Sequence, residues 1–432
     1  MTVEVTTLDN GLKVVTDAMD TVETASVGVW VGVGARHESK DINGVAHLLE
    51  HMAFKGTERR TAKDIAEQIE SVGGHLNAYT SRENTAYYAR VLKDDVPLAV
   101  DILADILQNS IFDKDELERE RAVVIQEIGQ SFDTPDDIIF DMFQEIAYPR
   151  QSLGRPILGS ADIVGAMSRD AISGYMRDNY LGPRMVLAAA GRVDHGELVE
   201  LAKAEFGGLP SSQAAGGEGA RYGGGESHQH RDLEQVHLIV GFDGIPYKDP
   251  DYYAVSLLSN LLGGGMSSRL FQEIREKRGL VYSIYSFTAS YVDGGLFGVY
   301  AGTGEKEVEE LIPVLCDEIS AIGATVKEEE LNRVKAQFKA GMMMALESTS
   351  ARCERLGQHS LIYGHPLPLD EVLAEVEAID IAAIGRVAGR LTASRPVFTG
   401  LGPVGRVETM APLAARFQGR DQDHSQSREA GQ

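Results

Sequence analysis

Apolar residues alternate with a period of two in SVGVWVGVG, which puts four valines on one face and predicts a strand over about 26–34. HLNAYTS and NTAYYARVLK show the same alternation. Helices are predicted over about 43–54, over about 61–72 with Thr61 as the N-cap, over about 95–109, and from 113 or 115 past 128, with acidic residues in the first turn of the last helix. Because strands and helices mix without a strict strand–helix–strand order, we predict an α+β fold.

The pattern occurs twice along the chain. VHLIVGFDG resembles SVGVWVGVG, and aligning Gly32 with Gly241 gives an offset of 209. FDKDELERERAVVI resembles TVKEEELNRVKAQF at an offset near 214, and RMVLAAAGRV resembles RPVFTGLGPV at an offset of 211. Three matches at nearly one offset predict a duplication of about 210 residues, with two domains of the same fold.

The duplication suggests domain limits. The first domain is predicted at 1–210 and the second at 231–420. Between them lies SSQAAGGEGARYGGGES, whose Gly, Ala and Ser content predicts a linker over 211–230. The polar residues 421–432 have almost no apolar anchors, so we expect a disordered tail.

The composition limits which classes of partner and which cellular location can be expected. The chain has 432 residues and a net charge of −24, which disfavours nucleic acid and favours cationic ligands, unless the charge serves solubility alone. No apolar run approaches the roughly 20 residues of a membrane span. The N-terminus lacks a secretory pattern, and the two cysteines, Cys316 and Cys353, form no CxxC motif. A cytoplasmic protein without a membrane span is therefore expected.

HLLEH carries the candidate chemistry. On a helix that turns about 100° per residue, His47, Glu50 and His51 share one face, and H-x-x-E-H is a zinc protease signature. The alternative is an ordinary helix with incidental histidines. In the duplicate, at an offset of 209, the pentapeptide reads SLLSN: the leucines persist and the chemical residues do not. A structural role should survive in both copies, so the metal site is favoured.

A catalytic zinc site usually needs three protein ligands, whereas a structural site has four. Glu120 and Glu127 are seven residues apart on a predicted helix and share one face. Their counterparts at an offset of 214 are Val334 and Gly341. Glu127 lies in an apolar stretch, where a carboxylate needs a partner.

HLLEHMAFKGT, GGHLNAYTSRENTAYYA, ERERAVVIQE and SLGRPILG resemble the M16 (pitrilysin-type) metallopeptidases over nearly the whole chain. The nearest branch is the β subunit of mitochondrial processing peptidase with its bacterial relatives. The resemblance implies two domains of mainly antiparallel sheet and helices, the first active and the second degenerate. It also implies one Zn²⁺ per chain on His47, His51 and Glu127, with Glu50 as general base and Glu120 as a supporting carboxylate.

The resemblance also implies substrate contacts. Asn77, Ala78 and Tyr79 would lend a sheet edge to an extended peptide. Arg275 and Tyr282, from the degenerate half, would hold the substrate carbonyl; alternatively they are an exposed arginine and a strand tyrosine without such a role.

Asp137 and Asp141 lie ten and fourteen residues after Glu127, the third predicted ligand. In processing peptidases, acidic residues at these spacings bind an arginine of the substrate. An acid pair at i and i+4 repels itself unless a cation lies near. The alternative is a solvated helix start. With the net charge of −24, the pair suggests a preference for basic peptides.

The sequence therefore predicts a zinc endopeptidase that cleaves unfolded peptides. Family members of this length pair two chains around a chamber, which implies a homodimer or a heterodimer with a related inactive chain. The alternative is a non-catalytic assembly subunit, like the core proteins of the respiratory bc1 complex. The intact HxxEH residues and Glu127 argue against it.

Overall fold

The computed structural model describes residues 3–212 and 216–418. The strands are β1 (Val3–Thr7), β2 (Lys13–Ala18), β3 (Thr24–Val31), β4 (His75–Thr80), β5 (Thr85–Leu92), β6 (Met185–Gly191), β7 (Gly225–His230), β8 (Val236–Asp243), β9 (Val281–Ser290), β10 (Gly295–Thr303) and β11 (Val397–Gly402). The α-helices are α1 (Val45–Ala53), α2 (Ala62–Ser71), α3 (Val96–Gln108), α4 (Lys114–Asp133), α5 (Pro135–Ala147), α6 (Ala161–Ala166), α7 (Arg169–Asn179), α8 (His195–Phe206), α9 (Tyr252–Gly263), α10 (Val308–Thr325), α11 (Glu328–Ala345), α12 (Thr349–Ile362), α13 (Leu369–Ala378), α14 (Ile381–Thr392) and α15 (Met410–Gln418).

The elements predicted in the first 130 residues are confirmed within a few residues at their ends. Local chemistry explains the boundaries. Thr61 caps α2, because its side chain accepts from the Asp64 N–H while the Asp64 carboxylate accepts from the Thr61 N–H. None of the described helices is long and apolar enough to cross a membrane.

The first compact unit comprises the described residues of Met1–Gln130, Arg155–Glu218 and Gly341–Pro368. Its sheet has the order β1-β2-β6-β3-β5-β4, and every neighbouring pair is antiparallel except β2 and β6. The main core includes buried residues of α1, α3, α7 and α8. A second cluster, around Trp30, Cys353 and Leu356, joins the sheet to α12.

The second unit comprises the described residues of Ser131–Gly154, Gly219–Ala340 and Leu369–Gln432. Its sheet has the order β7-β11-β8-β10-β9, with β7 and β11 parallel and the other pairs antiparallel. Buried residues of α9, α10 and α14 form its main core. Ile139 and Phe143 of α5 belong to a separate cluster of this unit, which also includes Ile239 and Tyr300.

The two sheets repeat one topology, since β2-β6-β3-β5-β4 corresponds to β7-β11-β8-β10-β9. This agrees with the predicted α+β fold of two similar domains. The strand register needs a correction, however. Ser26 pairs with Ala190, and His237 pairs with Leu401, so an offset of 211 relates both members of the pair. The alignment of Gly32 with Gly241 is therefore two residues out of register.

Packing also changes how the sequence copies map onto the units. Residues 131–154 pack in the second unit and residues 341–368 in the first, although each segment lies in the other sequence copy. The predicted limits 1–210 and 231–420 therefore differ from the folded units, between which these two helical segments are exchanged. The linker predicted at 211–230 extends too far, because residues 225–230 form β7, paired with β11. The predicted tail at 421–432 lies outside the described residues.

Candidate metal centre

Helix α1 separates its packing residues from its chemical residues. Leu48 and Leu49 are fully buried in the core of the first unit. His47, Glu50 and His51 are only partly buried. The same sequence thus fixes the helix against the sheet and turns two imidazoles and a carboxylate to the opposite side.

The structure brings the three predicted ligands together. Glu127 Oε2 on α4 lies 3.7 Å from His47 Nε2 and 3.7 Å from His51 Nε2. One ligand atom from each residue lies within 4.8 Å of the others, and among the described residues this is the one such group of three or more. Tetrahedral zinc with bonds of about 2.0–2.1 Å needs ligand atoms about 3.4 Å apart. The donor set and its spacing fit a zinc ion.

His47 is present in the form that binds metal. Burial, together with a smaller contribution from the neighbouring His51, lowers the pKa of His47 to about 4. The neutral ring can therefore offer an Nε2 lone pair at neutral pH. Its Nδ1 is buried and has no hydrogen-bond partner among the described residues.

Glu120 supports the second histidine. His51 Nδ1 lies 2.9 Å from Glu120 Oε2, and Lys55 Nζ lies 2.7 Å from Glu120 Oε1. Burial raises the pKa of Glu120, but the hydrogen bonds from Lys55 and His51 outweigh it and hold the pKa below its usual value. An ionised Glu120 accepts a hydrogen bond from His51 Nδ1–H, which leaves the unprotonated Nε2 facing Glu127. Lys55 was not predicted, although it follows HLLEHMAF directly.

Glu50 is held by the neighbouring strand. Thr80 Oγ1, at the end of β4, donates a hydrogen bond of 2.5 Å to Glu50 Oε2. Burial raises the pKa of Glu50, while the bond from Thr80 opposes that rise. A carboxylate with a raised pKa is a better proton acceptor near neutral pH. Thr80 was also missed, because a contact over 30 residues leaves no periodic signal.

Strand β4 lies at the edge of the first sheet and carries Asn77, Ala78 and Tyr79. Asn77 is exposed, whereas Ala78 and Tyr79 are half-buried. The Tyr79 hydroxyl donates to Glu354 Oε1 at 2.5 Å. The Tyr79 side chain is thus engaged within the unit, and what the edge can offer a peptide is backbone.

Four predicted substrate residues belong to the second unit. Arg275 lies in a π-helical turn, and its Cζ is 5.5 Å from the ring centroid of Tyr282, which is 77% exposed on β9. These two residues are therefore neighbours. Asp137 and Asp141 lie one turn apart on α5, where Asp137 is exposed and accepts a hydrogen bond of 2.6 Å from Ser131 Oγ.

Models of known protein families match both halves of the chain. The family model described as insulinase (peptidase family M16) matches residues 13–161. The model described as peptidase M16 inactive domain matches residues 166–338. This chain belongs to peptidase family M16. The resemblance in the sequence is thereby confirmed, with a degenerate second copy.

Relatives of this M16 peptidase include two proteins named as zinc proteases and one named as a processing-peptidase subunit. An uncharacterized zinc protease of Streptomyces coelicolor is 38% identical over 413 residues, which cover 93% of this chain and 90% of that protein. An uncharacterized zinc protease of Bacillus subtilis is 38% identical and covers 89% of this chain and 94% of its own. The probable mitochondrial-processing peptidase subunit beta of Arabidopsis thaliana is 38% identical and covers 93% of this chain and 78% of its own.

A solved structure shares the fold of this M16 peptidase. A protease from Helicobacter pylori superposes with a TM-score of 0.86 at 24% identity, and the match covers 93% of this chain and 99% of that one. The predictions of an M16 metallopeptidase and of a zinc cofactor are confirmed by the family and its zinc proteases.

Proposed function

We propose that this zinc protease is an endopeptidase that hydrolyses unfolded peptides at the centre formed by His47, His51 and Glu127. The observation that carries the proposal is the geometry of this group, with both Nε2 atoms 3.7 Å from one Glu127 oxygen. Glu50 lies on the same helix as the two histidines. Three ligands and an adjacent carboxylate suit a catalytic site rather than a closed structural one.

Each residue has a role in the proposed reaction. A zinc ion bound there supplies a Lewis acid that polarises the scissile carbonyl and acidifies water. Glu50 accepts the proton of the attacking water and passes it to the leaving amine, aided by its raised pKa. Glu120 keeps His51 in the tautomer that presents Nε2 to the ion.

The peptide would bind as an added strand along β4. The edge position of β4 and the exposure of Asn77 support this, since an edge strand offers unpaired backbone groups. Backbone pairing gives affinity with little dependence on sequence. Because Thr80 of the same strand holds Glu50, the base and the bound peptide would share one scaffold.

Residues of the second unit extend the proposal. On the family resemblance, Arg275 and Tyr282 would hold the substrate carbonyl and stabilise its developing charge, and their mutual contact suggests that they act as a pair. Asp137 and Asp141 would bind an arginine of the substrate. The bacterial relatives suggest a cytoplasmic enzyme, and the relative described as a subunit suggests assembly as a dimer, with itself or with an inactive related chain.

The decisive test replaces Glu50 with glutamine. Glu50→Gln should lower kcat on an unstructured peptide by about 10²–10⁴-fold, because the amide cannot take the proton, while zinc content remains equal to wild type. The control is Glu67→Gln on the exposed side of α2, which should keep both activity and zinc. Wild-type kcat in a zinc-loaded Glu50→Gln protein would disprove the assigned base. Wild-type protein without stoichiometric zinc would favour the non-catalytic assembly subunit.

A further inference from the structure

The helix that carries the HxxEH residues does not cap itself. Its N-cap is Gly44, which has φ 97° and no side chain to accept from the first N–H groups. Unpaired N–H groups at a helix start are satisfied by some other acceptor when they are buried. His47 is the third residue of this nine-residue helix, so its position depends on the first turn.

A buried carboxylate from upstream takes the place of the cap. Glu38 Oε2 accepts from the Gly44 N–H and from Asn43 Nδ2, each at 2.8 Å, and Glu38 Oε1 accepts from the Ala46 N–H at 2.8 Å. The residue is 4% exposed. Burial raises the pKa of Glu38 to about 7, against the pull of these hydrogen bonds. A carboxylate at this end of a helix is also favoured by the helix dipole.

Residues 155–159, the RPILG part of SLGRPILG, contact Glu38 and the start of α1. Arg155 Nη2 donates to the Glu38 carbonyl, and Asn43 Nδ2 donates to the Pro156 carbonyl at 3.1 Å. The backbone of Gly159 packs against that of Gly44: a Cβ added to Gly159 would lie 2.3 Å from the Asn43 carbonyl oxygen. Gly159 has φ 75°, so a side chain is disfavoured there on both grounds.

We propose that Glu38 is a positioning residue of the metal centre, holding the first turn of α1 so that His47, Glu50 and His51 meet Glu127. The inference rests on the proposed function of those residues. The Ala46 N–H that Glu38 holds belongs to the residue directly before His47. Metal sites tolerate displacements of only about 0.5 Å in their ligands. A loosened first turn should therefore displace His47 enough to weaken metal binding while the rest of the fold stays unchanged.

The test compares Glu38→Gln with the exposed control Glu67→Gln. The amide keeps the shape of the side chain but offers one acceptor oxygen, so it cannot hold both backbone N–H groups. We expect the zinc affinity of the folded protein, measured by chelator competition, to fall about 10–100-fold. The visible spectrum of the Co²⁺-substituted protein should change, and kcat should fall more than KM rises. Glu67→Gln should match wild type in all three.

Asn43→Ala is the milder second variant: it removes one donor to Glu38 and the bond to the Pro156 carbonyl, and it leaves the bonds from the Gly44 and Ala46 N–H groups to Glu38. It should weaken zinc binding in the same direction by a smaller factor. A cap that only stabilises the fold would lower Tm and leave zinc affinity and the Co²⁺ spectrum unchanged. That result in Glu38→Gln, or in Asn43→Ala if Glu38→Gln does not fold, overturns the inference. Peptide hydrolysis that survives Glu50→Gln would instead overturn the proposed function.

Discussion

At the scale of single residues, the two glutamates on α4 show how environment separates roles. Glu120 is 6% exposed and is bonded to Lys55 and His51. The Glu127 side chain is 39% exposed and lies 3.7 Å from the Nε2 atoms of both histidines. The sequence predicted that both lie on one face. The ion pair with Lys55 compensates the charge of the ionised Glu120 and leaves Glu127 as the carboxylate available to an ion.

Glu120→Gln should therefore weaken the centre without abolishing it. The amide loses the ion pair with Lys55 and the charge-assisted bond to His51, so we expect zinc affinity to fall about 10–100-fold. The measurement is chelator competition at fixed pH. Glu118→Gln is the control, since Glu118 is exposed on the same helix and pairs with Arg121. Equal zinc affinity in the two variants would remove Glu120 from the centre.

At the scale of elements, the duplication predicted the packing faces well. The burial of α1 matches that of α9 at an offset of 209 in all but one position, that of Glu50 and Ser259. The burial of α4 matches that of α11 at 214 over the first ten positions, 114–123 and 328–337, where Leu117 corresponds to Leu331. The exchange of α5 and α12 between units could not be predicted, because an amphipathic pattern shows that a face is buried and not which sheet covers it.

Helix α12 is locked to its sheet by a contact that only glycine allows. A Cβ added to Gly357 would lie 2.1 Å from Trp30 Cδ2, and Trp30 is 1% exposed. Gly357→Ala should lower the free energy of unfolding by about 1–3 kcal/mol, because a buried indole has little room to move. Gly389→Ala in α14 is the matched control: no atom lies within 4 Å of its Cβ, so the free energy should rise by about 0.4–1 kcal/mol.

Urea unfolding of the two alanine variants under one set of conditions checks this contrast. If Gly357→Ala is as stable as Gly389→Ala, the sheet and α12 are packed more loosely than the contact with Trp30 implies.

At the scale of the whole molecule, the duplicated pattern predicted two similar α+β domains, and the degenerate copy of HxxEH favoured a metal site. The resemblance to M16 peptidases implied the family and the zinc cofactor. It did not predict Glu38, Lys55 or Thr80 as part of the centre. Their contacts cross turns and elements, where spacing carries no periodic signal. The sequence also shows an excess of negative charge, with 65 acidic residues against 41 basic ones.

The charge leads to a prediction about substrate choice. If Asp137 and Asp141 bind an arginine, replacing both with asparagine should raise KM several-fold for an arginine-containing peptide. The KM for a neutral peptide should stay unchanged. The control is the double variant Glu328→Gln with Glu329→Gln, which changes the charge equally at the exposed start of α11.

Because exposed charges are screened beyond about 10 Å at 0.1 M salt, added salt should reduce the advantage of the arginine peptide in the wild type. Equal effects of the aspartate variant on both peptides would refute the specific pair. Equal effects of both double variants on the arginine peptide would assign the preference to the summed field of the molecule instead.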